Sequence, residues 1–221
     1  MGDATSIRTC GYKLSTTVRL CAPCLLSFRL TSLVRYSRMS SSSVPSSSSS
    51  SSVDDCSGKY NKKHALNSAW TLWYHDTEEK RWDIDSYVKV YQISTIEAFW
   101  GHHKALPSAT FHMGMFFYMR DDILPIWEDA RNKNGGCLSY KVPMADAFKI
   151  WEALTVHLAA ECLSTEAYLV NGISISPKRG FCILKIWIND HKKYGSRYLN
   201  ETVNGILDYE QSIFTAWSDK K

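Results

Sequence analysis

Leu169-Val170-Asn171-Gly172-Ile173-Ser174-Ile175, then Ser176-Pro177-Lys178-Arg179-Gly180, then Phe181-Cys182-Ile183-Leu184-Lys185-Ile186-Trp187-Ile188-Asn189: this stretch decides the fold. Two runs rich in β-branched and aromatic residues flank a Pro-Lys-Arg-Gly turn. Pro presets one backbone angle of the turn and Gly supplies the other, so the runs fold back as an antiparallel hairpin. In its second strand Ile183, Lys185 and Trp187 share a face.

Upstream, Ser68 to His75 alternates, with Trp70, Leu72 and Tyr74 on one side and Thr71 and Trp73 on the other. It reads as a strand covered on both faces. Ser86 to Ile93 sets Tyr87, Lys89, Tyr91 and Ile93 against Val88 and Val90. Thr110 to Arg120 is a long strand ending in an Asp121-Asp122 turn, and Cys137 to Lys141 is a short one. Asn134-Gly135-Gly136 before it predicts a turn at positive φ. Helices interrupt the strands. Ser94-x-x-Glu97 is a capping box opening a helix to about His103. Pro143 opens a second, Met144 to Glu161, burying Phe148, Trp151, Leu154 and Leu158. A last helix is predicted from Lys193 to Val203, then an irregular end. Antiparallel strands with grouped helices make the class α+β: a curved antiparallel sheet with helices on one side.

The net charge of +4 misleads. Residues 1–52 hold six basic side chains and one acid, leaving 20 basic and 21 acidic residues in the remainder. That remainder does not coat nucleic acid by counterion release, so any such ligand has to be recognised locally. Residues 1–38 are rich in Arg, Ser, Thr and Leu, as in a mitochondrial leader; alternatively Met39 is the true start. The apolar run Cys21 to Leu33 is interrupted by Pro23 and Arg29 and is too short to span a bilayer. Ser40 to Ser52 is nearly all serine and reads as a solvated tether. The expected organisation is a disordered extension over 1–59 and one folded domain over 60–221. The one C-x-x-C among the seven cysteines, Cys21-Ala22-Pro23-Cys24, sits in the leader, and the odd count without other paired spacing suits reduced thiols inside a cell. His102, His103 and His112 do not read as a metal site, since adjacent histidines leave a helix on different sides. No metal or cofactor is expected.

Eight tryptophans are more indole than a core of this size needs, and seven lie between Trp70 and Trp187. Pro125-Ile126-Trp127-Glu128-Asp129 sets an aromatic face beside a carboxylate. The ring can stack on a flat, electron-poor base while the carboxylate accepts hydrogen bonds from its edge. The alternative is a core Trp and a solvated acid pair. Trp82, in the polar loop Arg81-Trp82-Asp83, either meets a ligand or packs its own loop. With Phe99 turned inward, Trp100 faces the edge of its helix or solvent, where a Trp either marks a partner surface or wraps the core. No nucleophile–base pair, P-loop or metal-ligand spacing is present, so an enzyme is not expected.

From about His64 to Tyr209 the chain resembles the eukaryotic translation initiation factor 4E family, which binds the 7-methylguanosine cap of mRNA. The matching blocks are His64-x-Leu66-x-x-x-Trp70-x-Leu72-Trp73, Lys80-Arg81-Trp82, Ile96-Glu97-x-Phe99-Trp100, Pro125-x-Trp127-Glu128-Asp129 with Asn132-Lys133-x-Gly135-Gly136, and Ile186-Trp187. The resemblance implies helices on the convex back of the sheet. It implies that Trp82 and Trp127 sandwich the methylated guanine, Glu128 holds its edge and Trp187 touches the methyl group. Ile96, Trp100, Glu152 and Val156, with His64, would receive a helix of an initiation scaffold of the 4G type or of a competing repressor. The triphosphate positions depart from the family. Its Arg falls on Lys178 and its Lys on Ile183, and an Arg after the Gly-Gly turn is Cys137. Arg179 or Lys185 would have to compensate, and weaker phosphate binding or an unusual cap preference is expected. Ala65 replaces a proline in the first block. The expectation is a monomeric, non-enzymatic, cytoplasmic factor, with a nuclear pool or mitochondrial leader left open. It either delivers capped mRNA to the scaffold or, as a repressor, withholds it.

Overall fold

The structure is a computed structural model, and it describes residues 63–219 apart from residue 167. The leader, the serine tract and the 1–59 boundary lie outside the described residues. Seven strands form one sheet: β1 (Ala65–Asp76), β2 (Val88–Thr95), β3 (Gly114–Arg120), β4 (Gly136–Pro143), β5 (Val170–Pro177), β6 (Phe181–Ile188) and β7 (Ile213–Ala216). Their order is β2-β1-β3-β5-β6-β4-β7, and every neighbouring pair is antiparallel. The helices are α1 (Ile96–Ala105), α2 (Ala147–Ala159) and the single turn α3 (Glu201–Asn204). The class is the expected one, a curved antiparallel sheet with helices on its convex face. No described helix is long and apolar enough to cross a membrane.

Period-two alternation divides the sheet's side chains between two cores. Trp70, Leu72, Tyr118, Leu138, Tyr140, Ile173, Leu184 and Ile186 point toward the helices and meet Phe99 of α1 and Trp151, Leu154 and Leu158 of α2. On the other face Trp73, Met115, Phe117, Met119, Cys137 and Trp187 form a smaller cluster with Ile123 and Trp217. One end of the central strands β1, β3 and β5 is closed by a largely buried ion pair. Arg120 Nη1 lies 2.5 Å from Glu161 Oε1, its guanidinium donates to Val170 O, and it sits 4.6 Å over the Trp70 ring.

Several local expectations are corrected. Thr95, not Ser94, caps α1, its hydroxyl accepting from Ala98 N at 3.2 Å. Glu97 therefore does not close a capping box. In β2, Val90 and Ile93 both pack on the main core, because a register shift between Leu72 and Trp73 of β1 breaks strict alternation. The long strand at Thr110 begins instead as a 3-10 turn (Ser108–His112), with the Thr110 hydroxyl donating to Pro107 O at 2.6 Å. Pro143 ends β4 rather than opening α2, which is shorter than expected, and Phe148 is only half-buried.

Gly135 and Gly136 are not at positive φ. They are required by close approach: a Cβ on Gly135 would fall 1.8 Å from Ile188 O, and one on Gly136 2.5 Å from Thr215 O. The helix expected over Lys193 to Val203 reduces to a 3-10 turn (Ser196–Tyr198) and α3. Buried Leu199 between them is extended, with φ −90° and ψ 143°. The expected irregular end contains β7, which pairs with β4.

Candidate functional site

The face of the sheet opposite the helices holds a cleft of about 420 Å³. Its floor is a run of aromatic contacts. Trp187 is 5% exposed, its Nε1 donates to Ser174 Oγ at 2.9 Å, and its ring lies 4.9 Å from Trp217 and 6.2 Å from Phe117. Phe117 meets Tyr87 edge-on at 5.3 Å, Tyr87 meets His75 at 4.6 Å, and His75 stacks on Trp82 at 4.5 Å. The alternating pattern of β1, β3 and β6 puts these rings on one face.

Two loops raise indoles above the floor. Trp82 follows β1 and is 55% exposed; Trp127 follows β3 and is 41% exposed. Both line the cleft, as does Glu128. The Trp127 loop is held from beneath by buried amides. Asn132, fully buried, donates from Nδ2 to Leu124 O at 2.9 Å and Ile126 O at 2.8 Å. Asn171 donates to Asn132 Oδ1 at 2.9 Å and to Arg131 O at 2.8 Å. Asp129 accepts from Leu124 N and Arg131 N, at 3.0 and 2.8 Å. Backbone carbonyls that would otherwise be unpaired thus fix the segment on either side of Trp127.

The cleft carries charges of both signs. Among the lining residues Glu128 is the one acid, and Lys178 and Lys185 are the cations. Burial, assisted by the Glu128 charge, pushes the Tyr87 phenol up to about 12, so it stays a neutral donor. Ile183 lines the cleft between the two lysines in sequence, whereas Arg179 is exposed and is not a lining residue. Lys185 therefore lies in the cleft and Arg179 lies outside its lining. Cys137, 1% exposed, belongs to the aromatic cluster and offers no charge.

Sequence reasoning passed over three contributors. In sequence Tyr87 is indistinguishable from an ordinary strand residue, and Asn132 shows only as part of a motif. Lys141, like Arg179, is not a lining residue, but it stands directly across the β4–β6 ladder from Ile183, on the same face, with its Nζ 4.5 Å over the Phe181 ring. The ladder register, which pairs Lys141 with Ile183, is the signal that finds it.

On the convex side, Ile96 and Trp100 are 43% and 42% exposed, and Glu152 and Val156 are half-buried on α2. His103 Nδ1 donates to Phe99 O, and its Nε2 lies 2.7 Å from Thr155 Oγ1, tying α1 to α2. The exposed His64 ring lies 2.7 Å from Glu97, whose carboxylate also accepts from His64 N. The hydrogen bond to His64 holds Glu97 down at about 2. No group of three or more His, Cys, Asp or Glu among the described residues is placed to hold a metal.

Residues 65–221 match the family model described as eukaryotic initiation factor 4E. The chain belongs to the initiation factor 4E family. A curated relative, eukaryotic translation initiation factor 4E-2 of Schizosaccharomyces pombe, is 29% identical over 170 residues, covering 72% of this chain and 69% of that protein. Factor 4E-1 of Caenorhabditis elegans is 30% identical over 136 residues, covering 58% and 63%. Among solved structures, C. elegans eIF4E-3 in complex with the 4E-binding protein Mextli and a cap analog superposes with a TM-score of 0.55 at 21% identity. That match covers 66% of this chain and 81% of that one. The Ascaris suum eIF4E-3 complex with the m7G cap superposes with the same score at 20% identity, covering 66% and 80%. These likenesses establish the fold. Members of the 4E family are initiation factors, not enzymes.

Proposed function

We propose that this 4E-family chain binds the 7-methylguanosine cap of mRNA and carries it to the initiation machinery through a scaffold helix. The lining of the cleft carries the reading: two exposed indoles, a lone carboxylate and two lysines meet in one cavity. Such a cleft suits a flat, cationic, hydrogen-bond-donating head joined to an anionic tail. Trp82 and Trp127 clasp the base, and N7 methylation adds a cation–π contribution to their stacking. Glu128 accepts from the ring N–H and exocyclic amine, charge-assisted and bidentate. Trp187 supports the methyl side. Lys178 and Lys185 meet the phosphates, joined by Lys141 across the ladder from Ile183. With lysines in place of a guanidinium fork, the phosphate contribution is weaker than an arginine pair gives.

The C. elegans eIF4E-3 complex holds a cap analog and a 4E-binding protein, which supports both halves of the reading. The exposed Ile96 and Trp100 form an apolar pair four residues apart, the spacing that receives an amphipathic helix, with Glu152, Val156 and His64 around it. This favours scaffold recruitment over a repressor that leaves the scaffold unbound. Retention on 7-methyl-GTP resin tests the cleft: Trp127→Ala should lose retention with its circular dichroism unchanged, and a retained, folded variant would refute the site. Pull-down with a scaffold helix peptide tests the convex face; no capture by the wild type would select the repressor.

A further inference from the structure

His75 has a part that neither the sequence motifs nor the fold explain. It is fully buried in β1, and its ring stacks on Trp82 at 4.5 Å with an interplanar angle of 6°. Its Nε2 lies 2.9 Å from Arg81 O, the carbonyl of the residue before Trp82. A carbonyl only accepts, so Nε2 carries the proton and the imidazole is the Nε2–H tautomer. Nδ1 is then a bare acceptor, buried and without a hydrogen-bond partner.

That orphan acceptor is costly, and a phenyl ring would avoid it while filling the same space. What the imidazole supplies and a phenyl ring cannot is the bond to Arg81 O. Both contacts converge on Trp82: the ring covers one face of the indole, and the N–H pins the backbone next to it. Ile84, two residues on, packs on the smaller aromatic cluster, and the other hydrogen bonds described near Trp82 stay within its loop. Arg81 pairs with Glu79, two residues away in the same loop, and Trp82 is 55% exposed. An indole on a short polar loop would sample many rotamers, and ordering it on ligand binding would cost affinity.

We infer that His75 is a positioning residue that presets Trp82 to stack on the cationic base. Its imidazole backs one face of the indole and leaves the other open to the ligand. This rests on the cap-binding reading. The variants are His75→Leu, which fills the volume without ring or N–H, and His75→Phe, which keeps the ring and loses the N–H. Binding of 7-methyl-GTP and GTP is measured for each, alone and combined with Trp82→Ala. The expectation is that His75→Leu weakens 7-methyl-GTP about tenfold and GTP much less, so methyl selectivity falls. His75→Phe should weaken it about threefold while melting no lower than the wild type. In the Trp82→Ala background His75→Leu should cost nothing more, because the histidine acts through the indole. Equal losses for both nucleotides, or additive losses in the double variant, would mean a general structural role and overturn the inference. If Trp82→Ala binds too weakly to measure, the methyl selectivity of His75→Leu decides. Absence of methyl selectivity in the wild type would instead overturn the cap-binding reading, so the two failures are distinguishable.

Discussion

Replacing Asn132 with leucine should release the Trp127 loop. Asn132 is fully buried, and its amide makes two donor bonds, to Leu124 O and Ile126 O, and one acceptor bond, from Asn171. Leucine is similar in volume and satisfies none of them. Asn171 keeps its bond to Arg131 O, so the loss falls chiefly on the two loop carbonyls. Leaving a buried polar group unpaired costs about 1–3 kcal/mol, and water reaching the loosened loop recovers part of it. The net destabilisation should be about 2–4 kcal/mol. For a folded unit of this size that lowers the melting midpoint by roughly 5–15 °C. Affinity for 7-methyl-GTP should fall as well, by about tenfold or more, because Trp127 and Glu128 lose their fixed support. Differential scanning fluorimetry reads the first effect and calorimetric titration the second. A variant within about 0.5 kcal/mol of wild-type stability and binding as tightly would show that the amide network does not hold the loop.

Glu128→Gln keeps the shape and removes the charge. Loss of charge-assisted bonds should weaken 7-methyl-GTP by about 2–4 kcal/mol, roughly 30-fold or more, by titration. It should also lower the Tyr87 phenol from about 12, though not to an ordinary value because burial remains, as read by ultraviolet titration of the tyrosines. Lys141→Ala should weaken 7-methyl-GTP about two- to fivefold, on the order of 0.5–1 kcal/mol, and leave the 7-methylguanosine nucleoside unchanged; equal effects on both would remove Lys141 from the phosphate end. His102 is held at about 4, first by burial and then by His103. A histidine depressed on folding takes its proton more readily when unfolded, so its contribution is complete above about 6.5 and is lost as pH falls toward 4. Chemical denaturation between pH 7 and 4.5 should therefore show stability falling on acidification, with a shallower slope in His102→Leu.

The sheet and its two faces were legible because alternation in β1, β5 and β6 states which side chains share a side. The Trp-centred blocks were legible because an indole in a polar loop, such as Trp82, has no core of its own. What escaped depended on distant partners. Glu97 follows Ser94 at capping-box spacing, yet Thr95 takes the cap and Glu97 turns to His64, 33 residues away in sequence. The Gly135-Gly136 pair read as a turn because the passing strands at Ile188 and Thr215 are invisible locally. Strand β7, four residues at the sheet edge, is too short to show a period. His75 looked like one more strand residue because the loop it supports returns to it only in three dimensions.

The most direct measurement is a titration of intrinsic tryptophan fluorescence with 7-methyl-GTP and with GTP. Stacking on two indole faces should quench the emission saturably. The methyl charge, worth about 0.5–2 kcal/mol per face, should make the methylated nucleotide bind at least about fivefold tighter. Equal affinities for the two nucleotides, or no quenching by either, would contradict a cationic purine held between Trp82 and Trp127.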